Sequence, residues 1–302
     1  MKQFSCWFLS IWLVVLGLTV PQQAHPQDIR AAGILYVAPS PTGNDGNACT
    51  DPSFPCATIQ GALGKATAGD TVNVSTGTYT ASTDQVVLIE KAVALEGGWN
   101  SSFTTQSGMS TIDGENTRRV VEVSYGITTT LNNFIIENGK VGIFNFGHLT
   151  VDHVIVRKNH GNDCWGSGIC NVSGTANVLW SSIYNNSSEN GGGIYIGQDA
   201  SSAYISNSVI HHNTASAGGG IYNLRLLTIV NSTISNNKVT FGYSNSNGGG
   251  IFNDNGSVAL WNVTIAGNDG ANLGGGIYFT DTYGGYVTLH NSILDHNIAN
   301  NG

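Results

Sequence analysis

Charge is scarce in this chain. Of its 302 residues only 10% are Asp, Glu, Lys or Arg, and Lys and Arg together number 11, whereas an ordinary soluble domain is about a quarter charged. The formal net charge is −8, and no basic cluster exceeds the pairs Arg118-Arg119 and Arg157-Lys158. Such a chain lacks the cations that neutralise phosphates, so nucleic acid is excluded as a partner. Long apolar runs are also lacking. One uncharged stretch, from Cys6 to Val20, is short for a membrane-spanning helix. The 40 glycines follow no three-residue period, which excludes collagen. Their triplets are followed by Ile and an aromatic residue, not by the Gly-x-Asp of calcium-binding repeats or the Lys and helix of a phosphate loop. No His or Cys spacing matches a zinc pattern, so no metal site is expected.

The N-terminus reads as an export signal. Lys2 gives a positive start, the apolar run follows, and Pro21 opens a polar stretch, so residues 1–27 are assigned to a signal peptide and its processing region. An uncleaved anchor is the alternative, and the cleavage point is unmarked because Gln22 stands two residues before Ala24. Four cysteines remain beyond it: Cys49, Cys56, Cys164 and Cys170. Four allow three pairings. The simplest joins the near neighbours, Cys49 with Cys56 and Cys164 with Cys170, which suits an oxidising exterior and a secreted or cell-surface protein.

What the chain has in quantity is repetition. The segments Gly166-Ser-Gly-Ile169-Cys170, Gly191-Gly-Gly-Ile194-Tyr195, Gly218-Gly-Gly-Ile221-Tyr222, Gly248-Gly-Gly-Ile251-Phe252 and Gly274-Gly-Gly-Ile277-Tyr278 align, with a weaker copy at Val141-Gly-Ile143-Phe144. The Ile positions step by 26, 25, 27, 30 and 26 (143 to 169, 194, 221, 251 and 277). A second motif follows each first one, as in Ile205-Ser-Asn207-Ser-Val-Ile210-His-His-Asn213. It recurs from Ile229, Leu260 and Leu289, and in weaker form from Leu131, Val151 and Val178. Two Asn columns result, Asn207, Asn231, Asn262 and Asn291 in one, Asn213, Asn237, Asn268 and Asn297 in the other. Short apolar pieces separated by Gly and Asn, which tolerate left-handed backbone, read as an all-β solenoid with about 26 residues per coil, three strands and three turns to a coil. In register, Ile meets Ile and Asn meets Asn along the stack. A single coil cannot bury its faces alone, so neighbours must stack. The leucine-rich alternative has a similar period but its Leu-x-x-Leu-x-Leu signature is absent.

Residues 57–66 carry Ile59, Ala62, Leu63 and Ala66 at helical spacing. They predict a short capping helix over the N-terminal end, where open strand edges would otherwise stand exposed. The expected organisation is an extension with a disulfide loop over 28–56, cap and irregular first coils over 57–140, and regular coils over 141–302 that end without a C-terminal cap.

The segments Ala57-Thr-Ile-Gln-Gly-Ala-Leu63, Gly69-Asp-Thr-Val72 and Gly77-Thr-Tyr79 resemble the N-terminal cap of pectin-lyase-like right-handed parallel β-helix proteins. Gly97-Gly-Trp99-Asn100 and Ile112-Asp-Gly114 are similar to the following rungs of bacterial members, and the Gly-Gly-Gly-Ile-Tyr rungs resemble those of polymorphic outer-membrane proteins and bacterial surface β-helix proteins. The likeness spans roughly residues 34–302. It implies a right-handed parallel β-helix and leaves function open, since this superfamily holds lyases, glycosidases, adhesins and stalks. A lyase of this kind is expected to cluster acidic calcium ligands beside a basic residue that takes a proton. Here the acids are scattered, and Asp152, Arg157 and Lys158 are the nearest approach to such a group; turn charges of this kind are more often structural ion pairs. A glycosidase needs two carboxylates about 5–10 Å apart, and no pair stands out. His211-His212 and Asp295-His296 fall on equivalent turns three rungs apart, which argues against a shared metal.

The residues after the motif Ile, namely Phe144, Cys170, Tyr195, Tyr222, Phe252 and Tyr278, are expected to point outward by alternation. Five aromatic rings would then line one face as a candidate ligand-binding column, or stack on one another as a ladder covered by the loops that follow. The function expected is a non-catalytic extracellular stalk, adhesin or carbohydrate-contacting module, a monomer partnered by extracellular polysaccharide or a cell surface and needing no cofactor. The alternative is a polysaccharide lyase or glycoside hydrolase, the one case in which calcium enters.

Overall fold

The computed structural model describes residues 32–161, 163–240, 247–281 and 284–299. The expected signal segment, residues 1–27, lies outside them, as do residues 300–302, which end the expected last coil. The described chain winds into a right-handed all-β parallel solenoid of about eight turns with about 27 residues per turn.

Three parallel ladders run along it. The first is built from the strands Gln85–Ile89, Arg119–Val123, Val141–Asn145, the starts of Ile169–Leu179 and Ile194–Ser206, then Ile221–Asn223, Ile251–Asp254 and Ile277–Thr280. The second holds Ile34–Val37, Thr71–Ser75, Ala94–Trp99, Thr128–Asn132, His148–Asp152, the ends of the two long strands, Leu226–Val230, Ser257–Trp261 and Tyr286–His290. Those two long strands join the first and second ladders into one sheet. The third ladder is a separate nine-stranded sheet from Thr78–Tyr79 to Ile293–Asp295.

The register is the one the repeats predict. Ile143 pairs with Ile169, Ile169 with Ile194, Ile194 with Ile221, Ile221 with Ile251 and Ile251 with Ile277. The 30-residue step keeps the same pairing, so its extra residues leave the ladder undisturbed. The second motif pairs likewise, Val151 with Val178, Val178 with Ile205 and Ile205 with Ile229. These side chains, with Ile183, Ile210, Ile234 and Ile265 of the third ladder, fill one continuous core.

The glycine triplets follow from rung spacing. A Cβ at Gly193 would lie 2.7 Å from the Gly220 carbonyl oxygen, and one at Gly220 would lie 2.5 Å from that of Gly250. No side chain fits between carbonyls at that distance, so the column is glycine.

The two Asn columns do different work. Asn213, Asn237 and Asn268 are fully buried and form an amide ladder. Asn186 Nδ2 donates to Asn213 Oδ1 (3.0 Å), Asn213 to Asn237 (3.0 Å), Asn237 to Asn268 (3.0 Å) and Asn268 to Asn297 (2.9 Å). Asn207, Asn231, Asn262 and Asn291 instead carry left-handed backbone, with φ between 48° and 54°; within this set one amide contact joins Asn262 Nδ2 to Asn231 Oδ1 at 3.1 Å.

The helix Ile59–Lys65 is seven residues long, with Thr58 Oγ1 accepting from the Gly61 amide at its start. It lies against Gln85–Ile89, the first strand of the first ladder. Gln60 Oε1 accepts from the Leu88 amide at 2.8 Å, so a side chain satisfies a strand edge that has no rung beneath it. Lys91 Nζ donates to the Leu63 and Ala66 carbonyls, closing the C-terminal end of the helix. Both close disulfides form: Cys49–Cys56 and Cys164–Cys170, with Cα–Cα separations of 5.2 and 6.5 Å.

Candidate functional site

Asp152, Arg157 and Lys158 do not converge. Asp152 ends a strand of the second ladder while Arg157 ends Ile155–Arg157 in the other sheet. Asp152 Oδ1 lies 2.8 Å from His153 Nδ1. Arg157 donates through Nε to Glu137 Oε2 at 2.7 Å and through its terminal nitrogen to the Tyr184 hydroxyl at 3.1 Å. The bonds to Tyr184 and Glu137 raise the guanidinium further above its ordinary range, which makes Arg157 a fixed cation and a poor proton acceptor. Lys158 is exposed in the next turn, with φ 55°. Among the described residues no three His, Cys, Asp or Glu side chains are grouped to hold a metal ion.

The aromatic column stands where expected in register, Tyr195 on Tyr222, Tyr222 on Phe252 and Phe252 on Tyr278, but it is not an open face. The rings pack on one another: Tyr222 and Phe252 are stacked 4.8 Å apart and 5° from parallel, Tyr195 and Tyr222 are stacked 5.7 Å apart, and Tyr278 leans on Phe252 at 5.1 Å with a tilt of 50°. Phe252 is 5% and Phe144 9% exposed. At the lower end the Arg119 guanidinium covers the Phe144 ring at 4.7 Å, and Phe146 meets it edge-on at 4.5 Å. Tyr195, Tyr222 and Tyr278 are half-buried. Cys170 is spent in its disulfide. Around Tyr222 lies a hollow of about 170 Å³ that also takes in Asn190, Asn247, Asp254 and Thr280. Tyr222 donates to Asp254 Oδ2 at 3.0 Å; burial, then the Asp254 charge, push its pKa well above the ordinary tyrosine value, so it stays a neutral donor. Rings rising one rung at a time are close enough to be each other's packing, which is why alternation alone overstated their exposure.

The second ladder is the face left open. On its strands the residues at alternate positions point outward, and Tyr204, Trp261 and Tyr286 stand there 39%, 45% and 51% exposed. Tyr204 shares its row with Thr228, Ala259 and Thr288, and Tyr286 shares its row with Ser257 and Leu226. Thr228, Ala259, Thr288 and Ser257 are small, and Leu226, itself exposed, adds an apolar side chain to the same face. Trp261 is stacked against His290 of the next rung at 3.8 Å and 11°, which fixes its plane. With rungs about 4.8 Å apart, Tyr204 and Trp261, two rungs distant, stand about 10 Å apart along the axis.

At the corner between the second and third ladders each rung turns through one residue with left-handed backbone: Asn133 (φ 60°), His153 (53°), Trp180 (47°), then Asn207, Asn231, Asn262 and Asn291. Asn adopts this conformation readily, whereas a bulky side chain gives up roughly 1–2 kcal/mol to hold it. Below this corner a second ladder of hydroxyls satisfies the backbone. Ser181 Oγ accepts from the Val154 amide, Ser208 Oγ from Ser181 and Ser232 Oγ from Ser208, at 3.0–3.1 Å.

These features define a right-handed parallel β-helix. No family model matches the sequence, and no curated protein matches it. Among solved structures the chain is similar to the crystal structure of pectate lyase Pel9A. The TM-score is 0.58, identity is 17%, and the match covers 87% of this chain and 69% of that one. At that identity the likeness shows the fold alone.

Proposed function

We propose that the protein is an extracellular β-helix that holds polysaccharide against its side without cleaving it, acting as a surface stalk, adhesin or carbohydrate-contacting module. The observation that carries this reading is the outer face of the second ladder with Tyr204, Trp261 and Tyr286 exposed on it. Aromatic rings present an apolar surface that matches the face of a sugar ring, and the Thr and Ser between them offer hydroxyl donors and acceptors. The repeat of about 4.8 Å between rungs is close to the length of one pyranose unit, so an extended glycan and the ladder run in step. Two disulfides fit an extracellular setting. In this reading the ring column from Tyr195 to Tyr278 stiffens the solenoid.

The likeness to a pectate lyase favours a second reading, cleavage of an acidic polysaccharide. Against it stand the separation of Asp152 from Arg157 and the pairing of Arg157 with Glu137 and Tyr184.

The test is retention on insoluble polysaccharides (cellulose, xylan, chitin and mannan). The triple variant Tyr204→Ser, Trp261→Ser, Tyr286→Ser is expected to bind the polysaccharide that retains the wild type at least tenfold more weakly while unfolding at nearly the same temperature. Equal retention of variant and wild type would remove this face from the account.

A further inference from the structure

The left-handed corner position is Asn in five of the seven described rungs from Asn133 to Asn291, and the two exceptions, His153 and Trp180, are adjacent. Asn suits this backbone because its short amide bonds locally; the His153 imidazole reaches only its neighbour Asp152, and an indole is a bulky side chain for which this backbone is unfavourable. Nor are these two rings core residues. Trp180 is 59% exposed, and His153 is exposed with its ring stacked on Trp180 at 6.2 Å and 13°. The left-handed turn is common to all seven rungs; what sets these two apart is that a costlier residue type displays an aromatic pair to solvent there.

The pair sits in a groove of about 420 Å³ that runs along the corner and takes in Met109, Asn133, Asn207 and Val209. In rung order the floor reads amide, ring, ring, amide: Asn133, His153, Trp180, Asn207. Three rung spacings make this run about 14 Å long, which accommodates about three pyranose units. Its volume falls in the range of small-ligand sites, and its makeup, an apolar platform with a few polar groups at fixed points, is what such sites share. No Lys or Arg lines it. An acidic group stands beside it, Asp152, 2.8 Å from His153 Nδ1. A polyuronate would meet repulsion there and no compensating cation, so the occupant is uncharged.

We infer that this corner groove is a binding site for neutral oligosaccharides, with Trp180 as the platform on which a pyranose ring stacks, His153 backing it, and Asn133 and Asn207 bonding hydroxyls at either end. The inference rests on the reading that the protein contacts glycans, and it adds the site and the charge class of the ligand.

The experiment titrates the purified protein with cellohexaose, mannohexaose, xylohexaose and hexagalacturonate, followed by tryptophan fluorescence and calorimetry. A neutral hexamer is expected to change the fluorescence of the wild type and hexagalacturonate to bind at least tenfold more weakly. Trp180→Asn is expected to lose the fluorescence change and at least tenfold in affinity, while unfolding at the same temperature or higher, because it restores the residue the turn prefers. His153→Asn is expected to lose several-fold in affinity, and the Tyr204, Trp261, Tyr286 triple variant to keep its affinity for the hexamer. Undiminished binding by Trp180→Asn, or a preference for hexagalacturonate, overturns the groove. So does retention of the wild type on insoluble polysaccharide with no response to any hexamer, and in that case the wider reading stands. Failure of the wild type to bind polysaccharide or hexamer of any kind overturns both.

Discussion

Asparagine has two physical roles in this molecule, and the difference between them is measurable. Asn213 is fully buried, and its side chain donates to Asn237 Oδ1 and the Ile183 carbonyl and accepts from the amide and side chain of Asn186. Asn231 is exposed and serves mainly by accepting φ 50°. Removing the first orphans buried polar groups; removing the second adds only conformational strain. Asn213→Ala is therefore expected to lower stability by about 3 kcal/mol and Asn231→Ala by about 1 kcal/mol, read from denaturant unfolding of each variant against wild type. Similar losses from both would mean that the buried amide ladder contributes nothing of its own. The sequence placed both columns correctly but assigned them one role, because spacing gives position along a coil and not the direction of a side chain at a turn. A further pair of buried amides, Asn145 to Asn171 (2.6 Å) and Asn223 to Asn253 (2.7 Å), escaped notice because Ile196 interrupts the column. The signal for His153 and Trp180 was present in the aligned motifs, as the two places where Asn is replaced.

At the scale of the element, the glycine triplet is what the spacing of one rung on the next demands. Gly220 has no need of left-handed backbone, yet a Cβ there would meet the Gly250 carbonyl oxygen at 2.5 Å and the Asn237 amide nitrogen at 3.0 Å. Gly220→Ala must push two rungs apart or rotate a ladder amide, and is expected to cost about 1–3 kcal/mol, the range for overpacking a tight interior. Gly64→Ala in the capping helix, where a Cβ meets open space, is the matched control and is expected to be neutral or stabilising. Thermal unfolding of the two variants checks this. An equal effect at both positions would leave the triplets as mere turn residues. The helix and its Ile59, Ala62, Leu63 spacing were legible from sequence. The bond from Gln60 to the Leu88 amide was not, because it joins residues that only the winding of the first coil brings together.

For the whole molecule, repetition made the fold readable and function hard to read. Residues that recur at about 26-residue steps stack on themselves, so every strand's register follows from its neighbour, and the five Ile steps were enough to set the first ladder. A functional site is a departure from the repeat, and departures are few and individually weak. The charged group Asp152, Arg157 and Lys158 looked like a departure, yet the winding puts Asp152 and Arg157 in different sheets, leaves Lys158 in a turn and pairs Arg157 with Glu137. The aromatic column looked like a binding face, yet one-rung spacing lets its rings cover each other. The open rings of the second ladder recur at no fixed step, Trp261 standing inside the second motif and Tyr204 and Tyr286 outside it; that they share one outer face is revealed only by the register.

The central claim is that this β-helix holds glycan and does not cut it. The direct measurement incubates the purified protein with neutral polysaccharides and with polygalacturonate, with and without added calcium. Protein retained on the polymer, new reducing ends and the ultraviolet absorbance of unsaturated products are then followed together. The account predicts retention on a neutral polysaccharide, indifferent to calcium, with neither product appearing. Calcium-dependent release of unsaturated product from polygalacturonate, abolished by Asp152→Asn or Lys158→Ala, would contradict it.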